Sequence, residues 1–131
     1  MQHIQVAVGV IVKDGHVLLA KRPEHLHQGN KWEFPGGKIE AGESLEQAIV
    51  RELSEELAIE VSQQHAWFSL DYDYPEKRVS LHMSIVSAFT GEPRGNEGQP
   101  VEWVAISELG QFTFPDANQP IIDKLQASDW D

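Results

Sequence analysis

Three glutamates in one short stretch, Glu52, Glu55 and Glu56, are the residues of this chain best suited to chemistry. On a helical wheel of about 100° per residue, Leu45, Ala48 and Ile49 form an apolar stripe at the i, i+3, i+4 spacing. Continued by one and two turns, that stripe runs into the three carboxylates, with Leu53 and Leu57 to one side. Glu52 and Glu56 are an i, i+4 like-charge pair, which costs roughly 0.2–0.5 kcal/mol even when exposed. Partial burial raises the cost, because uncompensated carboxylates tend to protonate. Arg51, four residues before Glu55, offsets part of the charge, but one guanidinium cannot balance three carboxylates. A hard divalent cation can. Mg²⁺ prefers oxygen ligands in octahedral array and usually shares its sphere with phosphates. A solvated face is the ordinary reading of a Glu-rich helix, and the apolar origin of this stripe argues against it.

The elements that must hold these residues can be read around them. Ser44 is a good N-cap and Gln47, three residues on, completes a capping-box pattern, so a helix is predicted from Ser44 to about Leu57. Upstream, Trp32-Glu33-Phe34 reads as a short extended piece broken by Pro35-Gly36-Gly37, where two glycines permit close backbone approach to a ligand. Ile4–Val12 reads as a buried strand, Asp14-Gly15 as a hairpin turn and Val17–Ala20 as the returning strand. Glu24–Lys31 is predicted to be a surface loop. Further strands are predicted at Ala66–Tyr74, Val79–Thr90 and Val101–Ile106, a Gly- and Pro-rich loop at Gly91–Pro100, and a closing helix at Ala117–Ala127. This order predicts an α+β domain, a mixed sheet with helices on its faces.

Bulk composition narrows the function classes. At 131 residues the chain suits one domain, and a hydrophobic fraction of 40% with four tryptophans is enough for a packed core. Ten basic against twenty-one acidic residues give a net charge of −11. That disfavours tracking a nucleic-acid polymer, which rests on Lys and Arg, while leaving a small phosphate ligand possible where a metal offsets the repulsion. The absence of cysteine excludes disulfides, thiolate nucleophiles and Cys-based metal sites. No apolar run approaches the ~20 residues needed to span a bilayer. Cytoplasm is the default expectation.

Taken together, Gly37, then Glu43 after five residues, then Arg51-Glu52-Leu53-Ser54-Glu55-Glu56 after seven more, resembles the Nudix box. One position departs: Ala58 stands where the family has a glycine that ends the helix in a left-handed conformation, at a cost to alanine of roughly 1 kcal/mol. The similarity extends to MutT-type Nudix hydrolases through Ala7-Val8-Gly9, Glu33–Glu40, Glu97-Gly98-Gln99-Pro100 and Phe114-Pro115-Asp116-Ala117-Asn118. This resemblance implies an α/β/α sandwich over residues 1–131. It implies nucleotide-pool sanitation by hydrolysis of 8-oxo-dGTP to the monophosphate and pyrophosphate through water attack at the β-phosphorus. Carried over by position, Glu52, Glu55, Glu56, Glu97 and the Gly36 carbonyl are the expected ligands of Mg²⁺, with Mn²⁺ as a possible substitute. Glu52 or Glu97 is the expected general base, and Arg51 is expected to orient a carboxylate. Arg22, His27, Glu33, Phe34, Pro35, Gly36, Tyr74, Lys77 and Asn118 are the expected nucleotide contacts, with Phe34 and Tyr74 walling the base and Asn118 reading its edge.

Asn118 can accept from N7–H and donate to O6 of 8-oxoguanine, whereas guanine offers a bare acceptor at N7. Its alternative role is to cap the helix that follows it. Lys77 and Arg78 are expected to be solvated, although either could touch phosphate. The expected partner is a nucleoside triphosphate, with no membrane, and the protein is expected to be a monomer. A cytidine nucleotide, ADP-ribose or a dinucleoside polyphosphate are the alternative substrates, and a non-catalytic nucleotide sensor is the alternative of a different class. Intact Glu52, Glu55 and Glu56 argue against the sensor.

Overall fold

The continuous apolar run of the first strand, residues 6–12, decides the architecture. The computed structural model describes residues 2–25 and 29–128, and in it β1 (Gln2–Lys13) lies inside a mixed sheet. It runs parallel to β6 (Lys77–Thr90) from Gln2↔Lys77 to Ile11↔Val86. Being covered on both faces, it sends Ala7 and Ile11 into one buried cluster and Val8 and Val10 into another. The hairpin to β2 (His16–Lys21) turns on Asp14 and Gly15, both with positive φ (51° and 72°), as a two-residue turn matched to strand twist requires.

The order of hydrogen-bonded strands is β3-β2-β1-β6-β5, where β3 is Trp32–Glu33 and β5 is Glu60–Tyr74. Two more strands join off this path: β4 (Gly36–Lys38) pairs with β1, and β7 (Val101–Ala105) pairs with β2. Helix α1 (Leu45–Leu57) buries Ala48, Ile49, Leu53 and Leu57 against Ala7, Ile11 and Leu18. Helix α2 (Gln119–Gln126) buries Ile121, Ile122 and Leu125 in the other cluster, with Val8, Val10 and Met83. Helix, sheet and helix therefore stack as the expected α/β/α arrangement. Among the described residues, no helix is long and apolar enough to cross a membrane.

The capping box forms as the sequence predicts. The Gln47 N–H donates to Ser44 Oγ at 3.1 Å, and the Ser44 N–H donates to Gln47 Oε1 at 2.9 Å. At the other end Ala58 takes the left-handed conformation (φ 58°, ψ 35°), its N–H donating to Ser54 O at 3.1 Å. Alanine therefore carries the strain that glycine would avoid. Ala58→Gly is expected to stabilise the protein by about 1 kcal/mol, raising Tm by a few degrees in thermal unfolding. An unchanged or lower Tm would show that the chain relaxes the turn in another way.

Three features differ from the sequence reading. Gly36 and Gly37 do not merely break a strand; with Lys38 they form β4. Glycine has poor strand propensity, but a Cβ on Gly36 would collide with the carbonyl oxygen of Ala7 across the pair, so the missing side chain is what lets β4 dock. Strand β5 starts at Glu60 rather than Ala66, because register shifts at Val61/Gln63, Gln63/Gln64 and Ala66/Ser69 hide its two-residue alternation. A 3₁₀ segment at Ile106–Gln111, too short to show a helical period, follows β7.

Candidate active site

A cavity of about 370 Å³ opens along β1 and β6 and reaches Glu56 of α1. Its apolar wall comes from Ile4, Val6 and Val8 of β1 and Val79 and Leu81 of β6, with Phe34, Tyr74, Pro115 and Ala117 around them. Phe34 is buried and stacks on Phe114 at 5.8 Å between ring centroids, which fixes its ring as a wall. Polar groups enter the same cavity from several elements: Arg22, Glu33, Glu56, Lys77, Glu97 and Asn118.

Two cations serve different ends. Arg22 donates to Glu33 Oε1 at 2.8 Å. Lys77 Nζ lies 5.9 Å from the centroid of the Tyr74 ring. Arg78, the next residue on the strand, turns to the other side and pairs with Asp73 at 2.7 Å. Burial raises the pKa of the Tyr74 hydroxyl, and a hydrogen bond with the backbone of Ala117 offsets part of that. Asn118 stands at the start of α2, yet its side chain makes no cap hydrogen bond there. The capping role open to it from sequence is not the one it plays. Asn118 is among the residues that line the cavity.

The carboxylates are organised around Arg51. Its Nε donates to Glu43 Oε2 at 2.6 Å and its second terminal nitrogen to Glu43 Oε1 at 2.9 Å and Lys38 O at 3.0 Å. The remaining nitrogen reaches Glu52 Oε1 at 2.9 Å, Glu55 at 3.5 Å and Glu40 at 3.6 Å. Hydrogen bonds from Arg51 hold the Glu43 carboxyl down at about 2, and that pairing pushes the Arg51 pKa further up. Arg51 thus does not line the cavity and is held between Glu43 and Glu52.

Glu52 lies directly behind the glycines of β4. A Cβ on Gly37 would stand 2.5 Å from the Glu52 carboxyl carbon, so only glycine leaves the carboxylate its place. The Glu52 side chain is 15% exposed, and burial raises its pKa despite the hydrogen bond from Arg51. Glu56 is more strongly perturbed, pushed up to about 8 by burial and by the charges of Glu33, Glu52 and Glu97, with the Gly36 N–H donating to Oε2 at 3.0 Å as partial relief. Burial likewise raises Glu33, against the pull of Arg22. Glu55 is the outlying member at 55% exposed.

Carboxylates that resist ionisation because they are buried, and for Glu52 and Glu56 also because neighbouring carboxylates repel them, are a donor set that a hard cation fits, since a bound divalent ion favours their charged form. Among the described residues no three acidic or imidazole groups already converge on one point. An ion here would complete its sphere with water and phosphate oxygens, as Mg²⁺ commonly does.

The sequence-derived residues therefore divide. Arg22, Glu33, Phe34, Gly36, Glu56, Tyr74, Lys77, Glu97 and Asn118 meet at the cavity. Glu52 abuts it through Gly37, while Glu55 and Arg51 stand outside. Pro35 is buried, its carbonyl accepting from the Gly9 N–H at 2.7 Å. His27 lies outside the described residues. Sequence reasoning gave no role to Glu43, the strongest partner of Arg51, although its place in the motif was a signal. Gln99 entered only as part of the stretch Glu97-Gly98-Gln99-Pro100 and nothing marked Asn96, although both donate to backbone carbonyls of α1.

Known proteins share this sequence pattern and fold. A family model described as a NUDIX domain matches residues 7–124. The 8-oxo-dGTP diphosphatase of Escherichia coli K12 is 42% identical over 96% of this chain and 98% of its own length. The CTP pyrophosphohydrolase of the same organism is 36% identical over 97% of this chain and 94% of its own. A solved structure from a study of MutT of Aliivibrio salmonicida and Vibrio cholerae superposes with a TM-score of 0.85 at 42% identity, covering 96% of this chain and 98% of that one. Motif, fold and full-length similarity agree, and the chain belongs to the Nudix hydrolases, as a pyrophosphohydrolase of that family.

Proposed function

We propose that this enzyme hydrolyses 8-oxo-dGTP to 8-oxo-dGMP and pyrophosphate, by water attack at the β-phosphorus. The observation that carries the reading is Asn118, which lines the same cavity as Phe34 and Tyr74 and makes no side-chain cap on α2. In that setting the amide accepts from N7–H and donates to O6 of the oxidised base, while the aromatic walls take its faces. The name of the E. coli 8-oxo-dGTP diphosphatase, matched over nearly the whole chain, supports the same substrate.

Glu52, Glu55, Glu56 and Glu97, with the Gly36 carbonyl, are assigned to Mg²⁺, for which Mn²⁺ can substitute. When bound, the ion supplies charge neutralisation on the phosphates and lowers the pKa of the attacking water. Arg22 and Lys77 meet the phosphates, with Glu33 setting the direction of the Arg22 guanidinium. Glu52 is assigned the proton from water: burial makes it more basic, and Arg51 fixes its orientation. Arg51 acts through Glu52 and Glu43 without touching substrate.

Pyrophosphate release from 8-oxo-dGTP and dGTP, with and without Mg²⁺, tests this reading. The expected result is a metal-dependent rate with the higher kcat/KM for 8-oxo-dGTP. The similarity to a CTP pyrophosphohydrolase gives a second reading specific ground, so CTP belongs in the panel with ADP-ribose and a dinucleoside polyphosphate. A preference for any of these three would replace the assignment. Asn118→Ala is expected to narrow the preference for 8-oxo-dGTP over dGTP by roughly 5- to 150-fold, the value of one mismatched hydrogen bond in a buried pocket. An equal fall for both substrates would make Asn118 a structural residue.

A further inference from the structure

Glu97 is an exposed residue in the loop Gly91–Pro100, and an exposed carboxylate on a glycine-rich loop ordinarily samples many positions. The way this loop is fastened is therefore a functional matter. Helix α1 ends with no basic residue in its last turn, so its final carbonyls need donors from elsewhere. The loop provides them. The Arg94 N–H donates to Leu57 O at 3.1 Å and the Asn96 N–H to Glu56 O at 2.9 Å. Asn96 Nδ2 donates to Glu55 O at 3.0 Å.

Gln99 goes further. Its Nε2 donates to Glu56 O at 3.0 Å, and its Oε1 accepts from the Glu97 N–H at 2.9 Å. One amide, using its donor and its acceptor together, ties the backbone of Glu97 to the backbone of Glu56. The turn between them is tight: the Gly98 N–H donates to Gly95 O at 2.9 Å, and Gly98 has φ +85°. Glutamate at 99 would lack the donor, and asparagine is one methylene shorter than this span requires.

We propose that Gln99 is a positioning residue that sets the Glu97 carboxylate against that of Glu56, so that both act on the same divalent cation. The proposal rests on the reading of Glu56 and Glu97 as cation ligands. Gln99 holds Glu97 through the main chain and touches neither substrate nor ion. Its loss would widen the range of Glu97 without removing a ligand.

The test is Mn²⁺ binding to nucleotide-free protein, followed by electron paramagnetic resonance, in wild type, Gln99→Leu, Glu97→Gln and the double variant. Thermal unfolding of each confirms a cooperative fold, and Gln99→Met replaces the leucine variant should that one fail to fold. Gln99→Leu is expected to weaken Mn²⁺ binding by roughly 10-fold, the scale seen when a group that orients a metal ligand is removed. In the Glu97→Gln background the same change is expected to have less than about a 2-fold effect, since nothing is left to position. Equal losses in both backgrounds would reduce Gln99 to a general loop brace and overturn the proposal, as would unchanged binding in Gln99→Leu. Wild-type binding in Glu97→Gln would instead overturn the assignment of Glu97 to the cation, and the proposal with it.

Discussion

Glu52→Gln is expected to lower kcat by at least ~10²-fold while leaving the fold intact. The substitution keeps the volume of the side chain and an oxygen for Arg51 to donate to, now at 2.9 Å in the native pair. It removes the negative charge and the ability to take a proton. Because Gly37 presses against this carboxylate and Arg51 holds it from the other side, the amide has no freedom to move away, and the effect isolates the charge. KM for the nucleotide should change much less, since the apolar wall and Asn118 are untouched. Steady-state kinetics beside a thermal melt checks both halves. A near-normal rate in a folded variant would remove Glu52 from the mechanism.

The second large effect is on stability and depends on pH. Glu56 is pushed from its ordinary value of 4.5 up to about 8 in the folded protein, and Glu33 and Glu52 are raised as well, burial being the largest cause in each case. Since the folded-state value lies above the unfolded one, the native state holds the extra proton across that window. The contribution is fully present below about pH 4.5 and is lost as pH climbs through about 8. For Glu56 alone the loss is on the order of 3 kcal/mol, taking about 1.4 kcal/mol per unit and allowing for relaxation of the site. Metal-free protein should therefore unfold more easily at about pH 9 than at about pH 5, and millimolar Mg²⁺ should restore more stability at the higher pH. Glu56→Gln keeps an acceptor for the Gly36 N–H and discards the charge, so it should flatten the metal-free profile. A wild-type profile already flat in the presence of a chelator would show that Glu56 ionises in place without penalty.

Much of this site could be read from the sequence because its parts lie close along the chain. Ser44, Gln47 and the run of glutamates to Glu56 are local signals, and the helix appears between the residues its capping box and apolar spacing predict. Asp14-Gly15 fixed a hairpin for the same reason. What stayed hidden depends on neighbours distant in sequence. Gly36 and Gly37 read as a break because glycine propensity is poor, and only the approach of Ala7 and Glu52 explains why they form a strand. The bulges of β5 erased the alternation that would have marked its first half. Gln99 was legible only as part of the stretch Glu97-Gly98-Gln99-Pro100, because one of its two partners is Glu56, 43 residues away.

The alternation along β1 has a consequence for how substrate range can change. Ile4, Val6 and Val8 wall the cavity and Ile11 packs in the cluster under α1, while Ala7 serves both, lining the cavity and lying in that cluster. Residue parity thus separates pocket wall from helix seat along one strand everywhere but at Ala7. Under the proposed assignment, a change at positions 4, 6 or 8 reshapes the pocket and leaves the helix seated, so specificity within this scaffold can diverge without renegotiating its reaction centre.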